Sequence, residues 1–107
     1  MPPFPEQAPR PFTREEIERI EPGPPGVYAL LTEAGEYIAI GAGELRDELL
    51  ARLEGDDVCI AAHAPTQWVY WRMPADHDTA IAVLPNIERR RVQLTLELHP
   101  LCRDHGR

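Results

Sequence analysis

Apolar positions along the chain gather into short blocks set apart by prolines, glycines and charges. Thr13-Arg14-Glu15-Glu16 has the form of a capping box, in which the Thr13 hydroxyl accepts from the Glu16 amide. It predicts a helix over Arg14 to Ile20, ended by Pro22-Gly23-Pro24-Pro25-Gly26. Val27 to Leu31 is an unbroken apolar run and reads as a strand, with Glu33-Ala34-Gly35 as a turn and Glu36 to Ile40 as its hairpin partner. Leu45, Leu49, Leu50 and Leu53 recur at helical spacing, so Glu44 to Leu53 reads as an amphipathic helix stopped by Gly55. Residues 55–66 read as a loop, and the aromatic, β-branched segment Gln67 to Met73 as a third strand. Beyond Pro74, Asp76 or Asp78 is placed to cap a helix through Ala80, Ile81, Val83 and Leu84. Pro85 should kink or split that helix, and a second piece should run from Asn86 into Leu94 and on through residues 94–98. The order helix, strand, strand, helix, strand, helix, helix defines an α+β fold with a small three-stranded antiparallel sheet flanked by helices.

Composition refines this picture at the N-terminus and in the field around the domain. Eight of the twelve prolines fall in the first 25 residues, so residues 1–11 read as a proline-rich arm and residues 12–107 as one domain. The 107 residues carry 11 basic against 18 acidic side chains, a net charge of −7, and every basic side chain is arginine. Such a chain has no overall field to draw in a nucleic-acid backbone. The excess is local: residues 33–57 hold eight carboxylates against Arg46 and Arg52. No run of 18 apolar residues is present, and the N-terminal segment lacks the basic and apolar regions of a secretory signal, so a cytoplasmic location and no membrane contact are expected. With only Cys59 and Cys102, two reduced, partly buried thiols are expected.

Gly26-Val27-Tyr28-Ala29-Leu30, followed by Ile40-Gly41-Ala42-Gly43-Glu44-Leu45-Arg46, resembles the opening of a GIY-YIG nuclease domain. In that family a GIY or GVY strand follows a Pro-Gly turn, a tight hairpin leads to a YIG strand, and an arginine-bearing helix comes next. The resemblance covers residues 12–104. It implies metal-dependent phosphodiester hydrolysis, with tyrosines of both motifs at the attacking water or scissile phosphate. An arginine on the first helix would meet the phosphate charge, and a glutamate on a later helix would hold a divalent metal. Tyr28 occupies the GIY tyrosine position. The second motif reads Ala39-Ile40-Gly41, and Tyr37 lies one pleat earlier, about 7 Å away on the same face of a regular strand. In the helix, Arg46 is present, Glu48 stands where a second arginine is expected, and Arg52 lies one turn on, about 5 Å along the axis. The metal glutamate should fall at Ile81 to Val83, where no carboxylate exists; Glu88 is the nearest downstream.

The resemblance with these departures predicts a GIY-YIG-like domain with an eroded nuclease site, acting as a non-catalytic binding or assembly module. A protein partner is expected, through the strand Gln67 to Met73, where Trp68 and Tyr70 alternate with Val69 and Trp71. The alternative is a divalent-metal-dependent endonuclease using Tyr28, Tyr37, Arg46 or Arg52, and Glu88 with Mg²⁺. No cofactor is expected otherwise. Cys59-x3-His63 and His99-x2-Cys102-x2-His105 hold enough ligands for a tetrahedral zinc site, but no Cys-x2-Cys knuckle exists and the two groups would have to converge from far apart, so structural zinc is not expected. Arg89-Arg90-Arg91 should fan over a helix turn and pair with the acidic hairpin and first-helix region. His77 between Asp76 and Asp78 reads as part of a helix cap, and the absence of serine excludes a serine nucleophile.

Overall fold

The computed structural model describes residues 8–20, 25–72 and 80–102, with the backbone alone at 72 and 80–86. The expected Pro-Gly stop at residues 22–24, Met73 at the end of the third strand, the cap at Asp76 or Asp78, His77 and His105 lie outside these residues. In chain order the elements are β1 (Arg10–Pro11), α1 (Arg14–Ile17), β2 (Pro25–Leu31), β3 (Tyr37–Glu44), α2 (Leu45–Leu53), α3 (Val58–Ala62), β4 (Gln67–Arg72) and α4 (Ala80–Leu98).

The fold is α+β, and its antiparallel sheet has four strands in the order β1-β4-β2-β3 rather than three. The extra strand comes from the proline-rich arm. Arg10 and Pro11 pair with Trp68 and Gln67, and the Trp68 indole N–H donates to the Pro11 carbonyl at 2.8 Å. A proline at a sheet edge loses nothing, because its missing N–H faces away from the ladder. The boundary drawn at residue 11 therefore cuts through the sheet.

β2 is buried along almost its whole length because it lies between β3 and β4 with helices on both faces, which is why its sequence is uniformly apolar rather than alternating. Tyr28 and Leu30 point to one face with Ile38, Trp68 and Ile17 of α1, Leu45 and Leu49 of α2, and Ile60 of α3. Val27, Ala29 and Leu31 point to the other with Ile40, Val69 and the α4 residues Ile87 and Leu94. Two helical layers thus enclose one sheet.

Local chemistry sets the element ends. The Thr13 hydroxyl accepts from the Glu16 amide as the capping box predicts. The α-helix then runs only to Ile17 and finishes in a tighter turn, Ile20 N–H to Ile17 carbonyl at 3.0 Å, with Ile20 buried. The hairpin turn forms at Thr32 to Gly35, whose φ of 91° suits glycine. The segment expected to be loop contains α3, capped by the Asp57 carboxylate accepting from Ile60 N–H at 3.1 Å. Pro85 neither splits α4 nor ends it: the helix is continuous over its 19 residues. A proline there removes one helical hydrogen bond, and the packing of Ile87 and Leu94 against the sheet outweighs it. Among the described residues no helix is long and apolar enough to cross a membrane.

Candidate functional site

β3 is an edge strand, and a cleft of about 550 Å³ opens along it, between α2 and α3 on one side and α4 on the other. Tyr28 forms its floor. Tyr28 on β2 is the cross-strand partner of Gly41 on β3, and its ring lies directly over that residue. A Cβ on residue 41 would stand 2.3 Å from the Tyr28 hydroxyl oxygen and 2.4 Å from the carbon bearing it. Glycine at 41 is what lets the ring lie flat.

The Tyr28 hydroxyl donates to Glu48 Oε1 at 3.0 Å and accepts from Arg52 Nε at 3.2 Å. Arg52 also pairs with Glu48 at 3.4 Å and with Asp56. Glu48, Arg52 and Asp56 follow each other at intervals of four, so they form one stripe along α2 and the turn after it. Arg52, one turn beyond Glu48, thus reaches the Tyr28 hydroxyl with its own side chain. Burial first, and then the Glu48 charge, hold the Tyr28 phenol far above the usual tyrosine range, with Arg52 pulling the other way. Tyr28 is a neutral donor near pH 7, and in this state it is neither base nor nucleophile. Burial opposes the Arg52 charge, but Asp56 and Tyr28 more than restore it, so that arginine stays charged.

Glu88 and Arg91 line the cleft from α4 and pair with each other. Tyr28, Arg52 and Glu88 are therefore brought to one cavity, while Tyr37 and Arg46 are not among its lining residues. A bulge also sets Tyr37 apart from the Ala39 position. Leu30 pairs with Ala39 and Leu31 with Tyr37, so Ile38 is an extra residue in β3. Tyr37 and Ala39 then face opposite sides of the sheet, against the expectation of a shared face; Tyr37 packs with the α4-side cluster, and burial raises its pKa. Arg46 is half-buried at the start of α2.

Other expected features settle differently. Trp68 is buried, and Trp71 is half-buried beneath Arg90, whose guanidinium lies 4.5 Å from the ring centre. Arg10 covers Trp68 and Tyr70 on the opposite face. Of the basic run, Arg90 lies over Trp71 and donates to Gln93, and Arg91 pairs with Glu88.

The cysteines are not free: Cys59 and Cys102 form a disulfide. After α4 the chain turns back along the edge of β3, where Leu101 N–H donates to the Tyr37 carbonyl and Cys102 N–H to that of Ile38. This lays Cys102 against α3. His63 joins the pair, and among the described residues these three are the one group of three or more potential metal ligands whose ligand atoms lie within 4.8 Å of one another. The long-range convergence doubted from sequence is achieved for Cys59, His63 and Cys102; His99 stays outside the group. The Cys59-x3-His63 spacing was the signal, and an edge-strand return of the C-terminal segment was the part no spacing announces.

Residues 6–90 match the model of a family described as Domain of unknown function (DUF7508), and the chain belongs to that family. The match takes in Tyr28, Glu48, Arg52, Cys59, His63 and Glu88 and stops short of Cys102. No curated protein and no solved structure matches the chain.

Proposed function

We propose that this chain is a non-catalytic binding or assembly module on a GIY-YIG-like frame, working with a protein partner in the cytoplasm and needing no cofactor for that role. One observation carries the reading: the Tyr28 hydroxyl and the Arg52 guanidinium, the groups that would meet a scissile phosphate, are both engaged by Glu48, and Arg52 by Asp56 as well. A phosphate entering the cleft would face Glu48 and Asp57 with both nearby arginines already paired. Like charges about 4 Å apart repel by roughly 4 kcal/mol at the effective dielectric of a protein surface. The acidic face over residues 33–57 suits a basic partner surface better than the strand aromatics do, because Arg10 and Arg90 cover those rings. Incubation with supercoiled plasmid and single-stranded DNA in Mg²⁺ or Mn²⁺ is expected to give no nicking.

The rival reading is a metal-dependent endonuclease, and the shared cleft of Tyr28, Arg52 and Glu88 favours it. There Glu88 would hold the Mg²⁺. Cleavage that disappears in both Tyr28→Phe and Glu88→Gln would establish that reading and overturn the first. The cytoplasmic placement has its own check: thiol trapping in cells that finds the Cys59–Cys102 pair fully oxidised would assign an oxidising compartment instead.

A further inference from the structure

We propose that the reduced chain binds one zinc ion through Cys59 Sγ, Cys102 Sγ and a ring nitrogen of His63, so that the staple between α3 and the C-terminal segment has a disulfide form and a metal form. The inference is independent of how the cleft is read. The three ligand atoms already lie within 4.8 Å of one another. Tetrahedral zinc with Zn–S near 2.3 Å and Zn–N near 2.0 Å needs sulfurs about 3.8 Å apart and nitrogen about 3.5 Å from each. Cutting the S–S bond lets the sulfurs part to that distance while the cage as a whole keeps its size.

The ligands are held by backbone rather than by the disulfide alone. Cys59 and His63 are four apart and so share one side of α3, whose start is fixed by the Asp57 cap. Its end is closed by the His63 N–H, shared between the Cys59 and Ile60 carbonyls. Cys102 is placed by its own hydrogen bond to the edge of β3 at 2.7 Å. Burial is graded across the group: Cys102 is buried, Cys59 half-buried and His63 exposed. The fourth, water-filled coordination position would therefore open toward solvent on the histidine side.

The chemistry balances. A dithiol reductant gives the disulfide two electrons and two protons and is itself oxidised, leaving two thiols. Zinc then displaces those two protons, and two thiolates with one neutral imidazole leave the site without net charge. That neutrality suits a partly buried position, where an unpaired charge is strongly disfavoured.

The test titrates the full chain with Zn²⁺ against a chromophoric chelator, both as oxidised protein and after anaerobic reduction by a phosphine, with Co²⁺ as the spectroscopic substitute. One equivalent should bind to the reduced chain and none to the oxidised chain, and the Co²⁺ form should show thiolate-to-metal charge transfer with tetrahedral ligand-field bands. His63→Ala, at an exposed cap position, should weaken binding at least tenfold with an unchanged circular dichroism spectrum, while His99→Ala should bind as the parent does. A reduced chain that takes no zinc from the chelator, or a His63→Ala variant with the parent's affinity and Co²⁺ spectrum, overturns the proposal.

Discussion

Tyr28 lies close over Gly41 and is buried, and two predictions rest on it. Because a Cβ at 41 would overlap the phenol ring, Gly41→Ala forces a buried tyrosine to move. The expected destabilisation is about 2–4 kcal/mol by urea denaturation. In a Tyr28→Ala background the obstruction is gone, so the same substitution should lose more than half its effect. An undiminished effect would place the strain elsewhere. The second prediction concerns alkaline pH. The folded Tyr28 phenol titrates far above the ordinary value because of burial, so below about pH 10 both folded and unfolded chains keep it protonated and its contribution is intact. Above that pH only the unfolded chain ionises, and stability is lost at up to about 1.4 kcal/mol per pH unit. Tyr37, raised by burial, acts in the same direction. The urea midpoint should fall between pH 9 and pH 11, and Tyr28→Phe should flatten that fall.

At the scale of elements, β1 carries the clearest prediction. Its Pro11 carbonyl satisfies the buried Trp68 indole, and Arg10 bridges Trp68, Tyr70 and Glu16. Removing residues 1–11 uncovers Trp68 and takes away the acceptor of its N–H, at about 2–3 kcal/mol of stability. Its fluorescence, read in a Trp71→Phe background, should shift to the red; an unshifted emission would mean that β1 is dispensable. Sequence could not place this strand. Two residues beside prolines have no periodicity, and only the tertiary partner Trp68 orders them. The long elements were legible for the opposite reason: the run Val27 to Leu31 and the leucine spacing of α2 each carry a face worth burying. The candidate site was legible where it depends on those elements, as with Tyr28 and Arg52. It was not legible at Tyr37, because a bulge at Ile38 reverses the face of one residue without leaving a mark in composition. Pro85 shows the limit of a local rule, since the missing hydrogen bond is real and the packing beyond it decides the outcome.

For the molecule as a whole, the disulfide matters because of what it joins. The sheet separates two clusters of buried side chains, one under α1, α2 and α3 and one under α4. Cys59 belongs to α3, and Cys102 follows α4 after the chain has turned around the edge of β3. The link closes 43 residues of chain, including β4 and α4, and so fastens one helical layer to the end of the other across the open sheet edge. A domain of this size has little core to spare, and the chain-entropy model gives about 4 kcal/mol for a loop of that length. Reduction should therefore lower the urea midpoint sharply, and the Cys59→Ser/Cys102→Ser double variant should be insensitive to reductant and no more stable than the reduced parent. Hydrogen exchange should locate the loss. With the bond open, protection should fall first at the amides of Leu101 and Cys102 and along α4, while β2, enclosed by strands on both sides, keeps its protection. If reduction instead left α4 as protected as β2, the two layers would be held together by the sheet alone, and the staple would contribute through the unfolded chain without fastening the cleft.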